Sequence, residues 1–505
     1  MRRRPPITPF IAASIALVGC LCPSWSADAR VRWSTPGDYR LRLVGINAFP
    51  LDAQKTDSGQ NLFGEHRLRI RPTIEAGPLN VYLEIDVLTG QIFGDTLQVG
   101  TAFVERRHGD PTRWYDGWTT VEPRQGWFDL QLPWFDLKFG QMGADWGMGL
   151  LDDDGADDDA GKWVERLGDK RNGDLVDRLL VSVRPLRHIT HGAWGDAVLS
   201  VGGDHVWQDD LASALSGDTA WRVVGSLWWP GDALSGGLYA VHRWQTDEDG
   251  DETSRTAIDA HVRLDMPLFL LGAEVRIEGE LVGVFGETDA LRPATSPEGV
   301  DLLGLGWAAR AETAWRCPRI AAALEVGYAS GDADPDDGEW RAFSFDPDFR
   351  VGLVLFPDVL RLIGLRSAER AADPGRVGIA QAGADWLPTD GAVRNALYVN
   401  PGVTWRPGRW TLTGMAVLAW GSEPFVDPFE TFEAGGATRN HRGEPAARFY
   451  GAELAFGAGW RFSLGEVLRG ELGLQGGALY PGPALDEALD DGPVGKLVGR
   501  AQLAW

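Results

Sequence analysis

Residues 256–265, TAIDAHVRLD, put Ile258, Ala260, Val262 and Leu264 on one side of an extended chain and Asp259, His261, Arg263 and Asp265 on the other. Successive side chains of a strand point to opposite faces, so this alternation predicts a strand that is apolar on one face and charged on the other. The next stretch, 273–281 (AEVRIEGEL), sets Val275, Ile277 and Leu281 against Glu274, Arg276, Glu278 and Glu280. Upstream, 80–88 (NVYLEIDVL) opposes Val81, Leu83, Ile85 and Val87 to Tyr82, Glu84 and Asp86, and 67–74 (RLRIRPTI) opposes Leu68, Ile70, Pro72 and Ile74 to Arg67, Arg69, Arg71 and Thr73. Similar segments recur along most of the chain.

The connections between these segments alternate in length. Short ones fall at 76–78, 133–134, 230–233, 266–267, 317–318, 407–408 and 463–466; long ones fall at 50–60, 90–117, 143–174, 208–218, 245–253, 286–298, 421–446 and 481–493. Transmembrane barrels have tight periplasmic turns and longer extracellular loops. Lipid offers no hydrogen bonds to a sheet edge, so a sheet in a membrane must close on itself. The expected fold is all-β: a single closed antiparallel transmembrane β-barrel of about 18 strands, apolar face outward and charged face inward. Segment 331–391 decides the count. Its stretches 349–356 (FRVGLVLF) and 359–365 raise the number to 20 if they form a hairpin, and leave 18 if the segment folds into the lumen, the preferred reading. Tryptophans near strand ends, at Trp127, Trp134, Trp228, Trp229, Trp315, Trp405, Trp410 and Trp460, fit interfacial girdles.

Composition narrows the class. The 505 residues include 72 Asp or Glu against 48 Lys or Arg, a net charge of −24, which excludes a basic nucleic-acid-binding face. The 65 Gly and 30 Pro are incompatible with a mainly helical chain, and 23 Trp with 20 Phe argue against disorder. Residues 1–29 read as an export signal, with Arg2, Arg3 and Arg4, an apolar run and Ala27-Asp28-Ala29 as cleavage site, leaving 30–505 as the barrel. Leu17-Val18-Gly19-Cys20 offers a competing lipoprotein box. Cys317 would then stand alone, without a disulfide or cysteine-zinc partner in the chain. The most apolar window, 268–284, is interrupted by four charges and cannot form a spanning helix. The expected location is the outer membrane of a Gram-negative cell, with lipid and lipopolysaccharide as neighbours.

The inward face supplies candidate chemistry. It carries Arg40, Arg42, Arg67, Arg69, Arg71, Arg263 and Arg276, interleaved with Glu84, Asp86, Glu278 and Glu280. In one reading the arginines form a ladder that selects anions; in the other, cross-strand Arg–carboxylate pairs fill and stiffen the barrel. Asp152, Asp154 and Asp157 lie in an acidic loop, while 332–338, with Asp332, Asp334 and Asp336, and 247–251 resemble parts of calcium loops without an EF-hand pattern. Solvated outer loops are the preferred reading; calcium bridging to lipopolysaccharide is the sharper one. No other cofactor is expected. The chain has no H-E-x-x-H, no G-x-S-x-G and no phosphate-binding loop, so no enzyme is expected.

The terminal segment 494–505 (VGKLVGRAQLAW) keeps Leu497, Gly499, Ala501, Leu503 and Trp505 in phase. It resembles the last strand of bacterial outer-membrane barrels, which implies recognition by the barrel-assembly machinery. Residues 135–142 (FDLKFGQM) followed by Trp146-Gly147-Met148-Gly149-Leu150, together with Tyr450-Gly451-Ala452-Glu453, resemble the alginate-export family of porins. That resemblance implies a monomer, rather than a trimer, passing an anionic polysaccharide or small anionic or polar solutes. Two other functions stay open from the residues: a closed structural or adhesive surface barrel, and a soluble secreted β-protein.

Overall fold

The structure, a computed structural model, describes residues 31–108, 117–156, 162–170, 173–190, 192–268, 272–293, 295–315, 319–334, 337–378, 383–486 and 492–505. The expected leader at 1–29, Asp157, Asp336 and Cys317 lie outside the described residues.

The chain winds around one ring. In order the strands are β1 Gly37–Ile46, β2 Leu62–Ile70, β3 Leu79–Gly94, β4 Glu122–Gln131, β5 Asp136–Gly143, β6 Leu175–Val183, β7 Val198–Gln208, β8 Thr219–Trp229 and β9 Leu234–Thr246. They continue as β10 Glu252–Leu268, β11 Ala273–Thr288, β12 Val300–Trp315, β13 Ile320–Ala329, β14 Ala396–Trp405, β15 Trp410–Trp420, β16 Phe449–Leu464, β17 Leu468–Pro481 and β18 Val494–Ala504. Each pairs antiparallel with the next. The last pairs with the first, Leu43 opposite Gly499 and Asp38 opposite Ala504, so the sheet has no free edge. The sheet holds 21 strands; the short pieces Arg32–Ser34, Thr73–Ala76 and Glu339–Trp340 only extend or patch the others, which leaves eighteen staves. Pro72 breaks β2 from its continuation Thr73–Ala76, because proline cannot donate to the ladder.

The alternation runs opposite to that of a soluble sheet. Ile258 is 51% exposed while its neighbour Asp259 is fully buried; Leu454 is 58% exposed while Glu453 is buried. Leu238, Val262, Leu281 and Leu303 belong to the same outward apolar belt. Only a hydrocarbon solvent rewards that arrangement.

Short and long connections fall on opposite ends of the ring. The short end carries the turn at Gly77-Pro78, where Gly77 has φ +62°, a region open to glycine without strain. The 184–197 connection is the exception at that end. It is long, includes the turn Gly192–Trp194, and stacks Trp194 on Trp229 at 4.5 Å. Met266 and Pro267, expected in a turn, lie inside β10. Trp134, Trp405 and Trp410 are exposed at the short-turn rim, as a girdle requires. Trp127 and Trp228 correct the girdle reading. Trp127 turns inward to stack on Tyr82 at 4.2 Å, and Trp228 stacks on His261 and meets Trp146.

Segment 331–391 contributes no stave. Phe349, Val351, Leu353, Val354, Leu355 and Phe356 are all buried, which a lipid-facing hairpin would forbid. Among the described residues four α-helices occupy the connections: α1 Thr101–His108, α2 Arg361–Ala371 (entered through a wider turn at Leu355–Leu360), α3 Pro374–Val377 and α4 Pro428–Glu433. The apolar faces of α1 (Phe103) and α2 (Leu362, Ile363, Leu365) join Leu51, Leu97 and Leu150 in one cluster inside the ring. The fully buried Arg370 of α2 ties this cluster together, bonding Asp427 at 2.9 Å and Glu430 at the start of α4.

Candidate functional site

Two connections, 144–174 and 330–395, turn inward and cross the ring. Their backbone N–H groups leave water and need acceptors. Inward-facing glutamates of the wall supply them. Glu280 on β11 accepts from Met148 N–H and from Leu150 N–H at 3.0 Å. Glu312 on β12 accepts from Trp163 at 3.4 Å and Val164 at 3.2 Å. Glu453 on β16 accepts from Leu353, Val354 and Leu355 at 2.5, 3.1 and 2.8 Å. Gly168 N–H donates to Gln475 on β17 at 3.1 Å, and Gly173 N–H to Asp348 at 2.6 Å, which joins the two segments. Gly147 must be glycine: its φ is +63°, and a Cβ there would collide with the Glu280 carboxylate.

A throat forms where these segments meet β18 and β1. Asp169 sits between three wall arginines: Arg42 at 2.7 Å, Arg500 at 3.0 Å and Arg40 at 3.1 Å. Beside it, Arg350 pairs with Asp348 at 3.1 Å, and Arg166 bonds the Arg350 carbonyl at 2.8 Å while lying over the Phe349 ring at 4.2 Å. A cavity of about 200 Å³ reaches this point from the short-turn end, past Arg461, Glu471 and Thr411. Another of about 120 Å³ reaches it from the long-loop end, past Phe63, Gln91, Leu97 and Lys496. Both are lined by Gly168, Asp169 and Arg350. Cations and carboxylates line them in nearly equal number.

The rest of the arginine ladder is paired. Arg69 binds Asp86 at 2.6 Å and Glu84 at 3.2 Å; Arg71 binds Asp38 at 2.7 Å and Glu84 at 3.0 Å; Arg67 reaches Asp38 at 3.4 Å. Arg263 and Arg276 both hold Asp265 at 2.7 Å, and Glu278 holds His261 at 3.0 Å. A second network runs from Arg178 through Asp204 to Arg222, at 2.7 and 3.1 Å. Such pairs stabilise only as complete sets, since a lone buried charge costs about 3–5 kcal/mol. At the outer end, burial disfavours the Asp209 carboxylate, but Arg243 against it holds its pKa at about 2.

No protein-family model and no curated protein matches the chain, so the alginate-export resemblance finds no support there. Solved structures do match. Acinetobacter baumannii OccAB1 aligns at TM-score 0.50 and 9% identity, over 95% of this chain and 99% of that one. The eighteen-stave ring of this chain is therefore a known barrel form. The chain is an outer-membrane β-barrel. Two further similar structures are a BenF-like porin from Pseudomonas fluorescens Pf-5 (TM-score 0.49, 9% identity, 94% of this chain and 99% of that one) and Pseudomonas aeruginosa OpdK with vanillate (0.48, 12%, 94% and 99%).

The first acidic stretch is placed differently from expectation, while Asp334 of the second is exposed. Asp152 is no solvated loop residue. It is buried, bonded to Arg222 at 2.9 Å and to the Tyr239 hydroxyl at 2.8 Å, because its connection enters the lumen. Asp154 accepts from its own loop, at Ala156 N–H, and Asp332 from Asp334 N–H. Among the described residues, carboxylates within reach of one ion gather only at Asp145, Asp153 and Asp154, where the Lys170 ammonium already holds Asp153 at 2.7 Å. The third members of the two expected sets, Asp157 and Asp336, lie outside the described residues.

Several residues escaped the sequence reading as site residues: Asp169, Arg350, Asp348 and Lys496 at the throat, and Glu453 as the anchor of 353–355. Glu453 and Lys496 were legible, since Lys496 shares inward parity with Arg500, and Glu453 sits out of phase with the outward Leu454. Asp169 and Arg350 lie in irregular connections, where no periodicity points to a partner.

Proposed function

We propose that this barrel is a porin-like, non-enzymatic channel, working as a monomer and passing small polar or anionic solutes through the throat at Asp169 and Arg350. The observation that supports it is the meeting of two polar cavities, one from each end of the ring, at the same three residues. Pores of this kind select by diameter and by the charges that line them. The narrow cavities favour small solutes over a polysaccharide. The many wall-to-loop anchors favour a second reading, a closed barrel with a structural role. Reconstitution in planar bilayers separates the two: the channel gives discrete conductance steps, whereas a sealed barrel is silent.

A further inference from the structure

We propose that Asp169 sets the ion selectivity of this barrel by masking a triad of wall arginines. The inference rests on the channel reading above. Arg40 and Arg42 belong to β1 and Arg500 to β18, the two strands that close the ring. Arg42 lies directly opposite Arg500 in the register, and Arg40 is two residues away on the same inward face. Three guanidiniums so close would repel each other and attract anions. On the wall itself, Glu65 of β2 pairs with Arg42 at 3.0 Å. Their shared counter-charge is brought by the inward connection, as one carboxylate whose side chain is 1% exposed and which touches all three at 2.7–3.1 Å.

This placement separates two functions that are otherwise fused in a pore. The wall supplies fixed positive charge, and the connection supplies the mask. The mask lines both cavities, so every solute passing the throat meets the neutralised triad and not the bare one. Neighbouring pairs differ: Arg350 and Asp348 come from the same connection, Arg69 and Asp86 from adjacent strands, and Asp358 of the other inward connection meets one wall cation, Lys496, rather than three. Asp169 is the point where one carboxyl, carried on the inward connection, sets the sign of the throat.

The test is the reversal potential of single channels under a potassium chloride gradient. Asp169→Asn keeps the shape and removes the charge. It should raise the chloride-to-potassium permeability ratio at least about threefold. Adding Arg42→Gln to Asp169→Asn should bring the ratio back toward the wild-type value. Arg500→Gln alone, with Asp169 intact, should shift it the other way, toward potassium; this variant decides the matter if Asp169→Asn does not fold, as read from heat-modifiable gel mobility. Conducting variants with the wild-type reversal potential overturn the masking role and leave the channel standing. Silence of the folded wild type overturns the channel itself.

Discussion

Replacing Glu453 by alanine should open the barrel. Its carboxylate accepts three consecutive N–H groups, from Leu353, Val354 and Leu355, at 2.5–3.1 Å. A hydrogen bond to a charged group contributes about 1.5–3 kcal/mol, so the three sum to a gross figure of about 5–9 kcal/mol. Burying the carboxylate offsets part of that, and the net loss on truncation is about 3–5 kcal/mol. Lys496 still holds the same segment, through the Leu353 carbonyl at 3.2 Å and Asp358 at 2.5 Å, so the segment loosens without the ring unfolding. The eighteen staves keep their own ladders. Single-channel conductance should therefore rise, and protease should cut within 330–395 in the variant and not in the wild type. Glu453→Gln keeps an acceptor and should lie between. A folded Glu453→Ala barrel with unchanged conductance and an uncut segment would refute the anchoring role.

Further outcomes follow from the same geometry. Arg222→Ala takes the arginine from the buried Asp152, leaves Asp204 to Arg178 alone, and should cost about 3–5 kcal/mol, seen as a lower temperature of heat-modifiable unfolding; an unshifted transition would contradict it. Ile258→Arg puts a charge on the lipid face and should cost about 2–4 kcal/mol in folding into vesicles, whereas a neutral result would mean the face meets something other than lipid. His441, buried in the 421–448 connection, is held neutral by burial and by Arg442 and Arg370, which lower its pKa from 6.5 to about 3. The unfolded loop binds the proton more readily, so its stabilising contribution is full above pH 6.5 and is lost as pH falls from 6.5 toward 3. Proteolysis of that connection should increase over this window in the wild type and vary less with pH in His441→Gln.

The ring itself was readable because its signal is local. Period two in 256–265 and 273–281 fixes which side meets lipid, and β10 and β11 carry that alternation with Ile258 and Leu281 exposed and Asp259 and Glu280 buried. The inward course of 144–174 was not readable. A run of aspartates looks like a solvated loop until Arg222, Tyr239 and the Arg40–Arg42–Arg500 triad are in place, and those lie on staves far away in sequence. Trp228 stands between these cases. It shares parity with Arg222, so its inward direction was available from β8, but its place at the strand end suggested a girdle. Trp127 was obscured because the pairing of β3 with β4 slips between Glu84 and Ile85, which breaks simple counting.

Spin labels placed one at a time along 256–265, in a Cys317→Ser background and in lipid vesicles, address the closed ring most directly. Labels at 258, 260, 262 and 264 should collide with oxygen dissolved in the bilayer, and those at 259, 261, 263 and 265 should not. Accessibility without this period of two, or oxygen contact at 259 and 261, would contradict a barrel that faces lipid with its leucines and water with its ions.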